Sequence, residues 1–234
     1  MNKLLLKKQR ELENPWASVY DMMSGLMIIF LFISVVYMSS VTKEKEKIEE
    51  IAIMWDKAQE DLYLDLEKEF RYDLPKWKAS LNRENLSIRF SEPSVFFDPG
   101  SAVITQGFQS ILNDFFPRYI NILRKYQNNI AEVRIEGHTS SEWLGARDSL
   151  DAYFRNMQLS QERTRAVLQY CLMLPSISNH LHWAIKTITA NGLSSSKAIM
   201  DINGQENPTL SRRVEFCVRT DAEKRVITIL EKIK

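Results

Sequence analysis

Hydrophobic and polar positions fall into sharply different patterns along this chain. Residues 1–18 mix charged and apolar side chains. From Met22 to Met38 the chain reads MMSGLMIIFLFISVVYM, with no charge. With its flanks, 19–41 is long enough to cross a hydrocarbon core of about 30 Å as one helix. The pattern then becomes charged and periodic. Ile48, Ala52, Trp55, Leu62 and Leu66 recur every three or four residues, continued loosely by Phe70, Leu74, Trp77 and Leu81. That spacing predicts a helical stalk over 42–84, running to about Leu81 and suited to pairing with a second helix. Gln59 and Glu69 interrupt the stripe, and Pro75 is expected to break or kink it. A helix of about 40 residues would reach about 60 Å, and a plain spacer would have the same composition.

From Asn85 the period changes to two. Leu86, Ile88 and Phe90 alternate with polar residues and predict a strand at 86–90. Thr105 can cap a helix running to about Tyr126, with Pro117 disturbing its middle. Val133 and Ile135 mark a second strand. A helix follows from about Leu159 to Leu174. Ile185, Ile188 and Ala190 mark a third strand, and Val214, Phe216 and Val218 a fourth. Alternating strands and helices over 85–220 predict an α/β domain, a mixed sheet with helices on one face. Val226, Ile229, Leu230 and Ile233 predict a short amphipathic helix over 221–234. Cys171 shares a helix face with Val167 and Leu174, whereas Cys217 alternates with Phe216 and Val218. Those opposed faces argue against a disulfide.

Composition narrows the classes. With 31 basic and 30 acidic residues the net charge is +1, which lacks the basic excess of a nucleic-acid-binding protein. Two cysteines cannot build a disulfide-dense scaffold or a four-cysteine zinc site. A cleaved signal peptide is the alternative to a membrane anchor. The apolar run is longer than a signal peptide's usual apolar region and lacks an Ala-x-Ala site. Lys3, Lys7, Lys8 and Arg10 precede the run and Lys43, Lys45 and Lys47 follow it. Four basic residues against three bias the N-terminus toward the cytoplasm.

Asp21 is the first residue able to carry chemistry. One reading makes it an interfacial carboxylate at a helix start, favoured by the helix dipole. The other makes it an ion-relay group, because intramembrane carboxylates are costly and often functional. Ser24 and Gly25, one turn on, would let a partner helix approach closely. No Ser-His-Asp pattern is apparent, and the acidic pairs lie mainly on the stalk, so the chain does not read as an enzyme. His138 has no second histidine or carboxylate at ligand spacing nearby, which argues against a metal.

Further motifs carry a family resemblance. Phe97-Asp98-x-Gly100-Ser101-Ala102, Ile135-Glu136-Gly137-His138-Thr139, Asn156-x-x-Leu159-Ser160-x-x-Arg163 and Ser211-Arg212-Arg213-Val214-Glu215 occur in that order. The ordered set resembles the OmpA-like peptidoglycan-binding domain. Pro15-Trp16-x-x-x-Tyr20-Asp21-Met22-Met23 before a single span resembles the MotB class of stator subunits. Within that class, the short length and stalk look most like the ZorB family of Zorya antiphage systems.

The resemblance implies roles. Asp21 would transfer ions, H⁺ or less readily Na⁺, with no cofactor. Arg163 would grip a stem-peptide carboxylate with its planar, permanently charged fork. Asn156 and Leu159 would position the peptide, while His138 and Thr139 would fix the loop by hydrogen bonds. Thr139 and Ser140 would border the ligand. The family usually has Asp where this chain has Ser140, and that Asp meets a ligand ammonium. The substitution predicts weaker zwitterion binding unless Glu142 substitutes, and the long segment Trp143 to Arg155 would reshape the pocket.

The implied whole is an inner-membrane motor subunit with a cytoplasmic N-terminus and a periplasmic, wall-bound domain. Two copies would sit in a ring of five larger MotA-like or ZorA-like channel subunits. Flagellar stator and antiphage motor differ in purpose, not local chemistry, and a passive membrane-to-wall tether needs no role for Asp21. Residues 42–55, with Ile48, Ile51 and Trp55, could plug the channel or be a charge-rich juxtamembrane helix.

Overall fold

A computed structural model describes residues 15–91 and 96–220 of the chain. The predicted helix at 221–234 and most of the N-terminal tail lie outside the described residues. The chain divides into two compact units, one containing residues up to Ala52 and one running from Ile53.

Helix α1 runs from Pro15 to Phe70. In the first unit, every described side chain from Ser18 to Lys43 is exposed, the apolar ones included. The helical stretch Ser18–Glu49 contains a segment long and apolar enough to cross a membrane. Ser24 and Ser34 donate their hydroxyls to the carbonyls of Tyr20 and Phe30, each at 2.7 Å, so these polar groups are satisfied within the helix. Helix continues through 42–55, but the side chains of Ile51 and Trp55 lie outside the described set.

In the second unit, the end of α1 corrects the stalk prediction. The helix stops at Phe70, five residues before Pro75. A run of turns follows, and then strand β1, Ala79–Asn82. Leu62, Leu66, Phe70 and Leu74 are buried in the domain core. The stripe therefore packs on its own sheet-and-helix domain, which removes these positions from any pairing with a second helix.

Among the described residues, five strands form one sheet in the order β1-β2-β5-β3-β4. These are β1, β2 (Ser87–Phe90), β3 (Ile130–His138), β4 (Ile188–Gly192) and β5 (Arg213–Thr220). Only β3 and β4 pair in parallel, and every other neighbour is antiparallel. Helices α2 (Gln106–Lys125) and α3 (Ser149–Leu172), a 3₁₀ segment (Pro175–His180), α4 (Leu181–Thr187) and the single turn α5 (Pro208–Ser211) complete the domain. The centre is aromatic: Phe90 lies 5.3 Å from Phe115 and 5.9 Å from Phe216, and Phe70 lies 5.3 Å from Phe115.

Three expectations need revision. Helix α2 passes through Pro117, because Phe115, Phe116, Tyr119 and Ile120 are fully buried around it and their packing outweighs a cost of about 3 kcal/mol. Helix α3 begins ten residues before Leu159. Asp148 caps it, its side chain accepting from the Asp151 N–H at 2.8 Å. Ile185 lies in α4 with its side chain exposed, and the third predicted strand begins only at Ile188. Cys171 and Cys217 are both buried and free.

Two glycines set how closely α3 meets the sheet. A Cβ on Gly137 would lie 2.6 Å from Thr164 Cγ2 and 3.0 Å from the Ser160 carbonyl oxygen. A Cβ on Gly192 would collide with the Gln161 backbone, 2.6 Å from its Cα. Only glycine lets the ends of β3 and β4 approach the helix that carries Asn156, Leu159 and Arg163.

Candidate functional site

The C-terminal end of β3, the following loop, the first half of α3 and the loop at 97–101 enclose a cleft of about 680 Å³. Thr139, Ser140, Asn156, Leu159 and Arg163 all line it, so the structure brings together the five residues singled out in the wall-binding motifs. Phe97, Pro99, Gly100, Glu142, Trp143, Leu144, Thr209 and Arg212 complete the wall. The long segment after Ser140 thus contributes directly, through Glu142, Trp143 and Leu144.

Arg163 is held in place from one side. Its Nε–H donates to the Ser101 carbonyl at 2.8 Å and its Nη2 to the Asp98 carbonyl at 3.2 Å. The guanidinium carbon sits 4.8 Å from the Phe97 ring centre. These contacts fix the fork's plane and leave Nη1 without a hydrogen-bond partner among the described residues. Burial, and then the neighbouring Arg212 charge, push the Arg163 pKa down to about 10. The group remains a cation at neutral pH.

Asn156 donates from Nδ2 to the Glu142 carbonyl at 3.1 Å, tying α3 to the cleft loop. At the loop's other contact, the Ser141 N–H donates to the Glu206 carboxylate at 3.1 Å, and the Ser141 hydroxyl also bonds Glu206. Arg212 Nη1 donates to the Ser140 hydroxyl at 3.4 Å.

His138 and Thr139 do not act as the motif implied. Among the described residues, neither His138 ring nitrogen nor the Thr139 hydroxyl has a hydrogen-bond partner. The backbone fixes this loop instead, through Thr139 N–H to the Ser194 carbonyl at 3.0 Å and Leu193 N–H to the Gly137 carbonyl at 2.9 Å. Among the described residues, no three His, Cys, Asp or Glu side chains cluster as metal ligands would.

Arg212 is the charged cleft residue that sequence reasoning missed. The motif Arg212-Arg213 marks two cations in a row, but Arg212 caps the end of α5 whereas Arg213 is the first residue of β5, and the two side chains meet different surroundings. Arg213 turns into the domain, where its Nε–H bonds Glu215 at 2.5 Å. Arg89 bonds the same Glu215 oxygen at 2.9 Å. Arg212 is left to face the cleft.

Asp21 lies in the first unit. It is the seventh residue of α1, past the first turn, and that turn contains no acidic residue. The dipole contribution fades within one turn, which weakens the helix-start reading. Asp21, Ser24, Gly25 and Ile28 share one exposed helix face, and a Cβ on Gly25 would meet nothing within 4 Å.

Comparison with known proteins places these features. An OmpA family model matches residues 96–212. The Zorya protein ZorB of Escherichia coli is 46% identical over 231 residues, covering 99% of this chain and 98% of that protein. A MotB-like protein from Desulfovibrio vulgaris shares the fold with a TM-score of 0.51 at 20% identity, over 71% of this chain and 93% of that one. The cell wall anchor of the T6SS from Pseudomonas aeruginosa gives a TM-score of 0.46 at 20% identity, over 66% and 96% of the two chains.

Proposed function

This chain belongs to the OmpA family and to the family of the Zorya protein ZorB, and from that membership we propose that it is the wall-anchored subunit of an ion-driven motor in antiphage defence. Its N-terminus would lie in the cytoplasm, α1 would cross the inner membrane, and the domain would bind peptidoglycan in the periplasm. Larger ZorA-like channel subunits, five around two copies of this chain, would form the surrounding ring. The protein would act as a mechanical and ion-handling part rather than an enzyme, and would need no cofactor.

The observation that carries this reading is the position of Asp21. A lone carboxylate stands on an exposed, otherwise apolar helix face beside two small residues. An exposed apolar helix of this length needs lipid or partner helices around it, and a carboxylate there is expensive unless it works. Protonation makes Asp21 neutral for passage through an apolar environment, and deprotonation on the far side releases the proton. One carboxylate suffices for that relay, whereas Na⁺ would need several oxygen ligands, so H⁺ is the favoured ion. Each charge crossing 100 mV releases about 2.3 kcal/mol, and successive charges could drive rotation of a ring. Rotation does work only against a fixed part, which the cationic cleft would supply by holding the wall.

The test is Asp21→Asn, which keeps the side chain's size and removes its titration. The variant is co-expressed with its neighbouring channel subunit and scored by phage plating, with assembly and abundance measured in the same cells. The expected result is normal assembly with protection reduced to that of cells lacking the system. Full protection would overturn the ion relay and leave a passive tether.

A further inference from the structure

His138 closes β3 with its ring buried, and neither ring nitrogen finds a hydrogen-bond partner among the described residues. A neutral imidazole carries one N–H donor and one acceptor, so both are unmet. Charged groups face the ring from three elements. From β3 itself, the Glu136 carboxylate stands 3.6 Å from Nε2, just beyond hydrogen-bond reach. From β5, Arg213 lies opposite in the ladder, and Glu215 is already bonded to both Arg213 and Arg89. From α3, Arg163 lines with it a cavity of about 10 Å³, shared with Phe96, Phe97, Gly137, Ser160, Arg213 and Val214. That volume admits about one water at most. A proton on the ring therefore meets two guanidinium groups around one small cavity. Burial first, and then Arg213, resist that proton and outweigh the pull of Glu136 and Glu215.

The ring is also coupled to the cleft. Thr139 and Ser140, the next two residues, line the cleft, and Arg163 lines both cavities. The Thr139 N–H bond to the Ser194 carbonyl ties this loop down, while the Thr139 hydroxyl, buried and without a partner among the described residues, adds nothing to the tie. We propose that His138 is an acid-sensitive latch: protonation of its ring opens the loop that carries Thr139 and Ser140 and loosens the cleft's hold on the wall. The sign follows from linkage. The closed loop holds the wall and resists the proton, whereas the open loop gives the ring water and lets it charge near its ordinary value of about 6.5. Wall affinity therefore falls as pH drops, by at most about tenfold per pH unit for one proton. This inference rests on the peptidoglycan reading above.

The experiment uses the full chain in detergent micelles. Co-sedimentation with purified sacculi is measured from pH 7.5 to pH 5, a range above the usual carboxylate values, with circular dichroism confirming the fold at each pH. The expected result for wild type is a loss of about threefold or more in affinity across the range. His138→Gln, which cannot titrate, should bind within about twofold throughout, and that comparison removes any titration of the wall itself. Glu136→Gln removes a carboxylate that attracts the proton and should move the fall to lower pH. Wild-type affinity that stays level or rises on acidification overturns the latch, as does an undiminished fall in folded His138→Gln. If His138→Gln does not fold, a fall in Glu136→Gln at the wild-type pH overturns it. Each of these outcomes leaves the peptidoglycan reading standing. Failure of wild type to bind sacculi at any pH overturns both readings.

Discussion

His138 sits at the end of β3, directly opposite Arg213 across the antiparallel ladder. Burial lowers its pKa. The Glu136 carboxylate, 3.6 Å from Nε2, pulls the other way, Arg213 pushes down and Glu215 pulls up, with a net lowering. The sign of the pH effect follows. Below the unfolded pKa near 6.5 the unfolded chain takes up a proton that the folded chain resists, so stability falls as pH drops through that value toward the lower folded pKa. His138→Gln should flatten the fall in domain melting temperature between about pH 6.5 and pH 5. A slope identical to wild type would mean that His138 is not the group responsible. Glu215 contributes separately. Burial raises its pKa, but the Arg213 bond and the Arg213 and Arg89 charges outweigh that, and its stabilisation is lost at lower pH, below the usual Glu range. At this scale the sequence was legible where an ordered motif fixed a residue's surroundings, as for Asn156, Leu159 and Arg163. It was not legible for Arg212. Two adjacent arginines look alike in sequence, and only the change from the α5 turn to β5 between them separates the one paired with Glu215 from the one lining the cleft.

The apolar stripe of α1 shows the same limit one level up. A period of three to four residues identifies a buried face but not what buries it. Leu62, Leu66 and Phe70 face the core of their own domain, and polar side chains reinforce the contact. Arg118 bonds Glu69 at 2.7 Å and Asp73 at 3.0 Å, with its guanidinium 5.0 Å from the Phe70 ring centre. Lys125 and Tyr126 both reach Asp65 at 3.1 Å. Glu69, an interruption to the stripe in one dimension, is a clamp in three. The end of α1 is therefore part of the folding unit, which gives a direct expectation. Phe70→Ala should cost about 3–5 kcal/mol and lower the domain's melting temperature in the full chain, followed by near-ultraviolet circular dichroism. A helix end acting as a mere spacer would lose almost nothing. The elements themselves were largely readable from period and caps, as with Thr105 before α2. The start of α3 was not, because the signal at Asp148 is a single capping residue within a long polar segment.

At the scale of the whole molecule, Asp21 and the Arg163 cleft belong to separate compact units of one chain. The proposed motor would need them in series: ions moving past Asp21 would supply work, and a wall grip by Arg163 would supply the reaction force. A tether needs only the second. Arg163→Gln should weaken co-sedimentation with sacculi by about tenfold or more, the scale of a lost charge-assisted contact, while leaving assembly with the channel subunit intact. Asp21→Asn should bind sacculi as wild type does. Phage plating then separates the models. In a series device either single substitution abolishes protection, and the double variant protects no less than either single, because a broken chain cannot be broken further. Protection retained by Arg163→Gln with weakened wall binding would show that the reaction force comes from elsewhere. Independent partial losses that add in the double variant would mean that the two units serve different tasks. The arrangement of one carboxylate on a bare apolar face and a net-positive cleft in a separate unit of the same chain favours the series outcome.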